Sequence, residues 1–531
     1  MRTKALAVCL FVLALLPSAY LGWHYRDMPH LGFYHDDALY WVSAKALAQG
    51  EGYRILSLPG QPYQTKYPPL YPALLSLIWR IDPAFPGNLP WAMALTWAML
   101  PIFLWLSFHL FRMFGFSRER SWVLIAMLAI SPYVLVTSLS LLSELLFASL
   151  IMGSVLLAER AAGDGRGWLW AASAGLTAGA AYLTRTAGLP LLLTVPAGLI
   201  AMKRGRRLFA FAAGMLPCVV GWNLWVKAHL PLHADPAMLY YTDYAGFRQA
   251  YVAVRDLPLL VWRNLDALIS SIGDVLFFKS SEFGWGIAVG RILAAAALAG
   301  AIRLAWRTRK IQFPLFAVVY LALLLIWHYQ PADRLMVPVF PLLLAGFWVE
   351  TERFCATIRR SLTGPRGMEA AGAGVLAVAL VAFAAAIGVR TIDGTLRQWP
   401  AILEHKRKEH AADQRAFQWV AQHLPAQASL LAYDDPVVYL FTNRHACRGV
   451  LPPMLLYRSD EMGLEKHLRS LGGFVDRHEI GYWLLSRSDW RQELAIAGRQ
   501  QAQRILRETL PHELLYGSET ISVFRIKPKS F

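Results

Sequence analysis

Apolar residues in this chain fall in blocks about as long as a bilayer is thick. A helix needs roughly 20 residues to cross a hydrocarbon core of about 30 Å. Eleven blocks approach that length, near 5–23, 88–112, 122–139, 141–158, 168–184, 187–202, 208–226, 284–302, 312–329, 335–350 and 370–389. Two pairs nearly fuse. Residues 122–158 form one apolar run of 37, which as a single helix would be roughly 55 Å long. The chain must turn within it, and the polar cluster Ser138, Ser140, Ser143 and Glu144 marks the turn. The run 168–202 breaks the same way at Thr184-Arg185-Thr186. The first block, behind Arg2 and Lys4, loosely resembles a leader with a cleavage region at Leu16–Tyr20. Its apolar core is long for a leader and many spans follow, so an uncleaved first helix is expected. The segment 69–81 is apolar but only 13 residues long, with prolines at 68, 69 and 72. It reads as re-entrant or interfacial.

Composition agrees with the pattern. The 531 residues are 56% hydrophobic and 16% charged, with a mean hydropathy of +0.38, whereas soluble domains are roughly a quarter charged. The net charge of +17 could suggest nucleic acid, but the basic residues lie in short clusters between apolar blocks, as in cytoplasmic loops. With eleven passes, 19 Lys and Arg fall in loops on one side, while the short loops on the other hold only Arg185 and Arg334. The positive-inside rule then puts the N-terminus in the cytoplasm and the C-terminus outside the inner membrane. Three long segments lie outside: 24–87, 227–283 and 390–531. The four cysteines, Cys9, Cys218, Cys355 and Cys447, show neither metal spacing nor an obvious pair.

The tail is more polar. Helical stretches near Lys406–His423 and Asp489–Leu506 alternate with strand-like runs at Ser429–Tyr433, Gly481–Ser486 and Ile521–Ile526. The expected architecture is therefore a polytopic α-helical membrane domain of about eleven transmembrane helices, residues 1–389, followed by a small α/β extracytoplasmic domain, residues 390–531.

Candidate chemistry concentrates in the first outer segment. His35-Asp36-Asp37-Ala-Leu-Tyr40-Trp41 carries adjacent carboxylates, and Gln64-Thr65-Lys66-Tyr67-Pro68-Pro69-Leu70-Tyr71-Pro72 follows. Asp36 could simply cap a helix beginning at Asp37, and Lys66 could snorkel at the interface. The topology adds to this. Asp36, Asp37, Lys66, Glu144, Arg185 and Arg334 all fall on the outer side, and charge among membrane helices is costly enough to mark function. Asp36, Asp37 and Glu144 could together hold a hard cation through oxygen, but His24, His30, His35 and His328 show no ligand spacing.

These motifs resemble C-type (GT-C) membrane glycosyltransferases, nearest the branch of protein O-mannosyltransferases and the lipid A aminoarabinose transferase. The resemblance runs along the chain through the acidic pair, the Lys-x-Pro-Pro-Leu-Tyr run, Ser143-Glu144, Leu183-Thr184-Arg185, and Asp333-Arg334 followed by Pro338 and Pro341. Tyr433-Asp-Asp-Pro436 with Tyr439 to Arg444 is similar to a soluble-domain stretch of bacterial members. Two departures stand out: Tyr67 intervenes between Lys66 and the Pro pair, and the tail carries no acceptor signature. The resemblance implies a GT-C-type bundle and an inverting transfer from a polyprenyl-phosphate sugar on the outer leaflet to a lipid, glycan or protein acceptor. It implies Asp36 or Asp37 as general base, and Lys66, Arg185 and Arg334 on the donor phosphate. Glu144 and Tyr40 would orient these groups or the acceptor, and no metal or other cofactor would be needed. Two rivals are a transporter or flippase for a lipid-linked sugar, and an oligosaccharide polymerase or ligase with a lipid-diphosphate donor. The first usually shows repeats and broken midplane helices; the second tends to place its large catalytic loop late in the chain.

Overall fold

The computed structural model describes residues 2–163, 165–231, 235–363, 368–486, 489–490, 493, 495–496 and 498–527. Arg366, one of the basic residues in the topology count, lies outside them. The chain falls into two compact units, each discontinuous in sequence. One comprises Met1–His24, Thr96–Gly221 and Asn264–Ile402; the other comprises Tyr25–Leu95, Trp222–Arg263 and Leu403–Phe531. The tail thus packs with two of the long segments read as outer loops.

The first unit is a bundle of apolar helices. Among the described residues, five helices are long and apolar enough to cross a membrane, or six if one bent pair counts as a single span. That bent pair lies in the 122–139 block, where Arg118–Ala129 and Pro132–Ser138 meet at 65°. The cause is local. Pro132 disfavours helical backbone at the residue before it, and Ser131 is extended (φ −67°, ψ 126°). The turn expected around Ser138–Glu144 is present, with the next helix running Glu144–Arg160. The break at Thr184–Thr186 is present too: Gly167–Thr184 ends there, and a single 3-10 turn leads to Leu191–Ala201. At 11 residues, that last helix spans only about 16 Å. Helices Gly284–Thr308 and Phe340–Thr363 pack closely. A Cβ on Gly300 would strike the Gly346 carbonyl, and one on Gly346 would strike that of Ala297; small residues let membrane helices approach this way.

The helix Met368–Asp393 continues through a π turn, Gly394–Gln398, into Trp399–His423. The position expected to divide membrane from soluble domain therefore lies inside a helical stretch. A helix at Leu257–Leu276 was not foreseen within the 227–283 segment. It is amphipathic, with Leu260, Asn264, Leu268, Ile272 and Val275 buried along one face.

In the second unit, the tail supplies a five-stranded mixed sheet. Its strands are β1 (Ser429–Leu431), β2 (His445–Cys447), β3 (Tyr482–Ser486), β4 (His512–Gly517) and β5 (Ile521–Ile526), in the order β2-β1-β3-β5-β4. β1 pairs parallel with β2 and β3, and β5 pairs antiparallel with β3 and β4. Phe417 and Val420 of Trp399–His423 pack with Leu430, Leu484, Ile521 and Val523. The three expected strands are present; β2 and β4 had no sequence signal. β2 is three residues long, too short to show a period, and β4 is an edge strand with no buried residue. The helix expected from Asp489 is Arg499–Thr509, and part of 489–498 lies outside the described residues.

Candidate functional site

The site is assembled within the second unit on the helix His35–Gln49, which begins after Tyr34 and ends at Gly50 in a left-handed turn (φ +78°). The adjacent carboxylates behave differently. Asp37 is fully buried. Its carboxyl accepts the backbone N–H groups of Gly32 (3.0 Å), Phe33 (3.1 Å), Tyr34 (3.0 Å) and Ala38 (2.5 Å). Capping therefore falls to Asp37, three residues into the helix, rather than to Asp36. Burial pushes the Asp37 carboxyl up to about 7, against the pull of those N–H groups. Asp36 instead accepts a hydrogen bond from the Tyr67 hydroxyl at 2.7 Å. Tyr67 is the residue that interrupts the Lys-Pro-Pro pattern. Here it bridges the basic run to the acidic pair.

The run around Lys66 is held by its neighbours. The Gln64 side chain accepts the N–H groups of Lys66 and Tyr67, both at 3.1 Å. The Thr65 hydroxyl donates to the Thr242 carbonyl at 2.6 Å, the Trp225 indole donates to the Gln64 carbonyl at 3.1 Å, and the Tyr53 hydroxyl donates to the Tyr67 carbonyl at 2.9 Å. The Lys66 side chain is 5% exposed. Its Nζ lies over the rings of Tyr240 (3.8 Å), Tyr244 (4.4 Å) and Tyr67 (4.8 Å), and has no hydrogen-bond partner among the described residues. Burial lowers its pKa to about 7, with Asp36 pulling the other way. Burial also raises the hydroxyls of Tyr67, Tyr240 and Tyr244, so all three stay neutral donors. Tyr40 is 1% exposed and stands edge-on to Tyr67 and Tyr71, where it backs the Tyr67 ring.

Sequence reasoning missed several groups here. Nε2 of His35 lies 2.7 Å from Asp435 Oδ1, and its Nδ1 lies 3.2 Å from the Tyr240 hydroxyl. The Tyr241 hydroxyl donates to the same Asp435 oxygen at 3.0 Å and accepts the Arg448 N–H at 3.1 Å. The clustering of Tyr240, Tyr241 and Tyr244 in an outer segment, and the Tyr433-Asp-Asp-Pro436 element, were the available signals.

Glu144, Arg185 and Arg334 form their own cluster in the first unit. Glu144 Oε1 is 3.0 Å from Arg185 Nη1 and 3.5 Å from Arg334 Nη1. Arg185 also donates to the Ser143 hydroxyl at 3.2 Å. Glu144 is 1% exposed, against 19% and 17% for the two arginine side chains. Among the described residues, no three His, Cys, Asp or Glu side chains gather in a metal-binding arrangement.

No family model matches the sequence, and no curated protein matches it significantly. Solved structures do match its fold. ArnT from Cupriavidus metallidurans bound to undecaprenyl phosphate is similar at 14% identity and a TM-score of 0.55, covering 98% of this chain and 99% of that one. The same protein in the apo state gives 15% identity and a TM-score of 0.55, with each chain fully covered. The archaeal oligosaccharyltransferase AglB from Archaeoglobus fulgidus, in complex with an inhibitory peptide and a dolichol-phosphate, gives 13% identity and a TM-score of 0.53, covering 99% of this chain and 75% of that one. The fold is that of the C-type membrane glycosyltransferases, a multi-pass helical architecture.

Proposed function

We propose that this chain is an inverting glycosyltransferase that moves a sugar from a polyprenyl-phosphate donor to an acceptor on the outer side of the inner membrane. One observation carries the reading: Asp36, a carboxylate that accepts the Tyr67 hydroxyl, shares a compact unit with Lys66, whose buried Nζ has no hydrogen-bond partner among the described residues. The ArnT and AglB structures, with their lipid phosphates, support a donor of that class. The acceptor hydroxyl gives its proton to Asp36 as its oxygen attacks the anomeric carbon. The bond from that carbon to the phosphate oxygen breaks, and its electron pair leaves with the lipid phosphate. Lys66 stabilises the negative charge that develops there. In this reading Asp37 fixes the turn that presents Asp36, and Glu144 orients Arg185 and Arg334 within the first unit as a pair of guanidinium groups able to hold a phosphate. Transfer requires no metal. The reading includes eleven passes, a cytoplasmic N-terminus and an extracytoplasmic tail.

The test incubates purified protein with labelled polyprenyl-phosphate sugars and candidate acceptors, comparing wild type with Asp36→Asn. Transfer by wild type and a loss of about 10²- to 10⁴-fold in the variant are expected of a general base. Equal rates would remove the base assignment. Failure of every polyprenyl-phosphate sugar to bind or react would remove the transferase reading.

A further inference from the structure

A second cation stands beside Lys66, and the C-terminal segment supplies it. The Arg448 guanidinium lies 5.6 Å from the centroid of the Tyr240 ring that Lys66 Nζ approaches at 3.8 Å, and it stacks on Tyr433 at 3.9 Å. Tyrosine faces attract a cation but supply it no hydrogen-bond acceptor oxygen from the ring face. Neither Lys66 nor Arg448 has an ion pair among the described residues, and Lys66 Nζ and Arg448 Nε are both buried without a hydrogen-bond partner. Carboxyls reach the two cations through space without pairing: Asp36, which accepts from Tyr67, and Asp435, whose Oδ1 contacts His35 and Tyr241, both act on Lys66, and Asp435 acts on Arg448. The backbone at Arg448 is pinned, because its N–H donates to the Tyr241 hydroxyl.

Two cations of like sign held around one ring repel each other, and Arg448 adds to burial in lowering the proton affinity of Lys66. Leaving their N–H donors, Lys66 Nζ and Arg448 Nε, buried without acceptors adds to the cost. Simple packing would be served by an apolar side chain, or by an arginine paired with a carboxylate. Two cations of different geometry suit a tetrahedral anion: a point charge from lysine and a fork of N–H donors from arginine. We infer that Arg448 is the second cation of the donor-phosphate site, sharing with Lys66 the phosphate of a polyprenyl-phosphate lipid beside the Tyr240 ring. This rests on the proposed donor class and gives the C-terminal segment a direct part in donor binding.

The test measures the affinity of the full chain, in detergent or nanodiscs, for a polyprenyl phosphate and for the corresponding uncharged polyprenol. The ratio of the two isolates the phosphate contribution from binding of the lipid tail. Wild type is expected to prefer the phosphate. Arg448→Gln is expected to lose about 10- to 100-fold of that preference, the range for a hydrogen bond to a charged group, with polyprenol binding unchanged. Arg448→Lys keeps the charge without the fork, so an intermediate preference is expected, and this variant carries the test if the Gln variant does not fold. A wild-type preference in Arg448→Gln, or in Arg448→Lys where only that variant folds, overturns the inference and leaves the donor class standing. Absence of any phosphate preference in wild type overturns both.

Discussion

Replacing Asp37 by alanine should damage the fold far more than the chemistry, and the magnitude follows from its contacts. The variant strands four backbone N–H groups that now end on the buried carboxyl. Each buried donor left without a partner costs about 1–3 kcal/mol. Some will find water at the start of the helix, so a total of about 3–6 kcal/mol is expected. The second unit holds roughly 240 residues. For a domain of about that size each kcal/mol moves the midpoint by about 2–4 °C, so melting should fall by roughly 6–24 °C. Thermal unfolding of the full chain in detergent measures this, with Asp36→Asn as the comparison; that variant should melt within about 2 °C of wild type, since an exposed or retained polar contact changes little. The penalty also depends on pH. The Asp37 carboxyl rises from 3.8 when unfolded to about 7 when folded, so the folded state holds the extra proton between those values. Its contribution to stability is complete below about pH 4 and declines as pH rises through about 7. The alanine variant should therefore lose more at pH 5 than at pH 8. If Asp37→Ala melts like wild type while Asp36→Asn melts early, the two roles are exchanged and the argument from hydrogen bonding fails.

Tyr67→Phe removes the hydroxyl that donates to Asp36 at 2.7 Å. A bond to a charged acceptor is worth about 1.5–3 kcal/mol, so kcat/KM should fall roughly 10- to 150-fold with little change in melting; an unchanged kcat/KM would show that the bond does not orient the base. Because burial brings Lys66 to about 7, affinity for a lipid phosphate should weaken by up to about tenfold per pH unit above that value as the ammonium loses its proton. Lys66→Arg should abolish this dependence, and a flat wild-type profile between pH 6 and 9 would contradict it. Glu144→Ala leaves Arg185 and Arg334 without their shared carboxylate and should cost about 3–5 kcal/mol in denaturation. The double variant with Arg185→Ala should cost less than the sum, and strict additivity would mean the contact is energetically idle. A reporter fused to the C-terminus should be active outside the membrane; cytoplasmic activity would overturn the pass count.

The sequence by itself determined the membrane class and much of the segmentation, because bilayer thickness imposes a length that any apolar run displays. It located the turn at Ser138–Glu144 and the break at Thr184–Thr186 through polar interruptions in otherwise apolar runs. It marked Asp36, Asp37 and Lys66 as chemistry-bearing, because charged groups among aromatic and apolar neighbours are costly to keep. It could not divide labour within the acidic pair. Adjacent helical residues point in different directions, and only the path of the chain through Gly32–Tyr34 shows that Asp37 is consumed by backbone donors while Asp36 meets Tyr67. Nor could it foresee the short strand β2, the bend at Ser131-Pro132, or Tyr240, Asp435 and Arg448 as neighbours of the first outer segment. Those residues lie hundreds of positions from His35 and Lys66, and no local period encodes a contact at that separation. Tertiary packing alone decided that the tail shares a compact unit with the segment carrying Asp36 and Lys66, because Lys66 and Arg448 can be held near one ring only where three distant segments close around it.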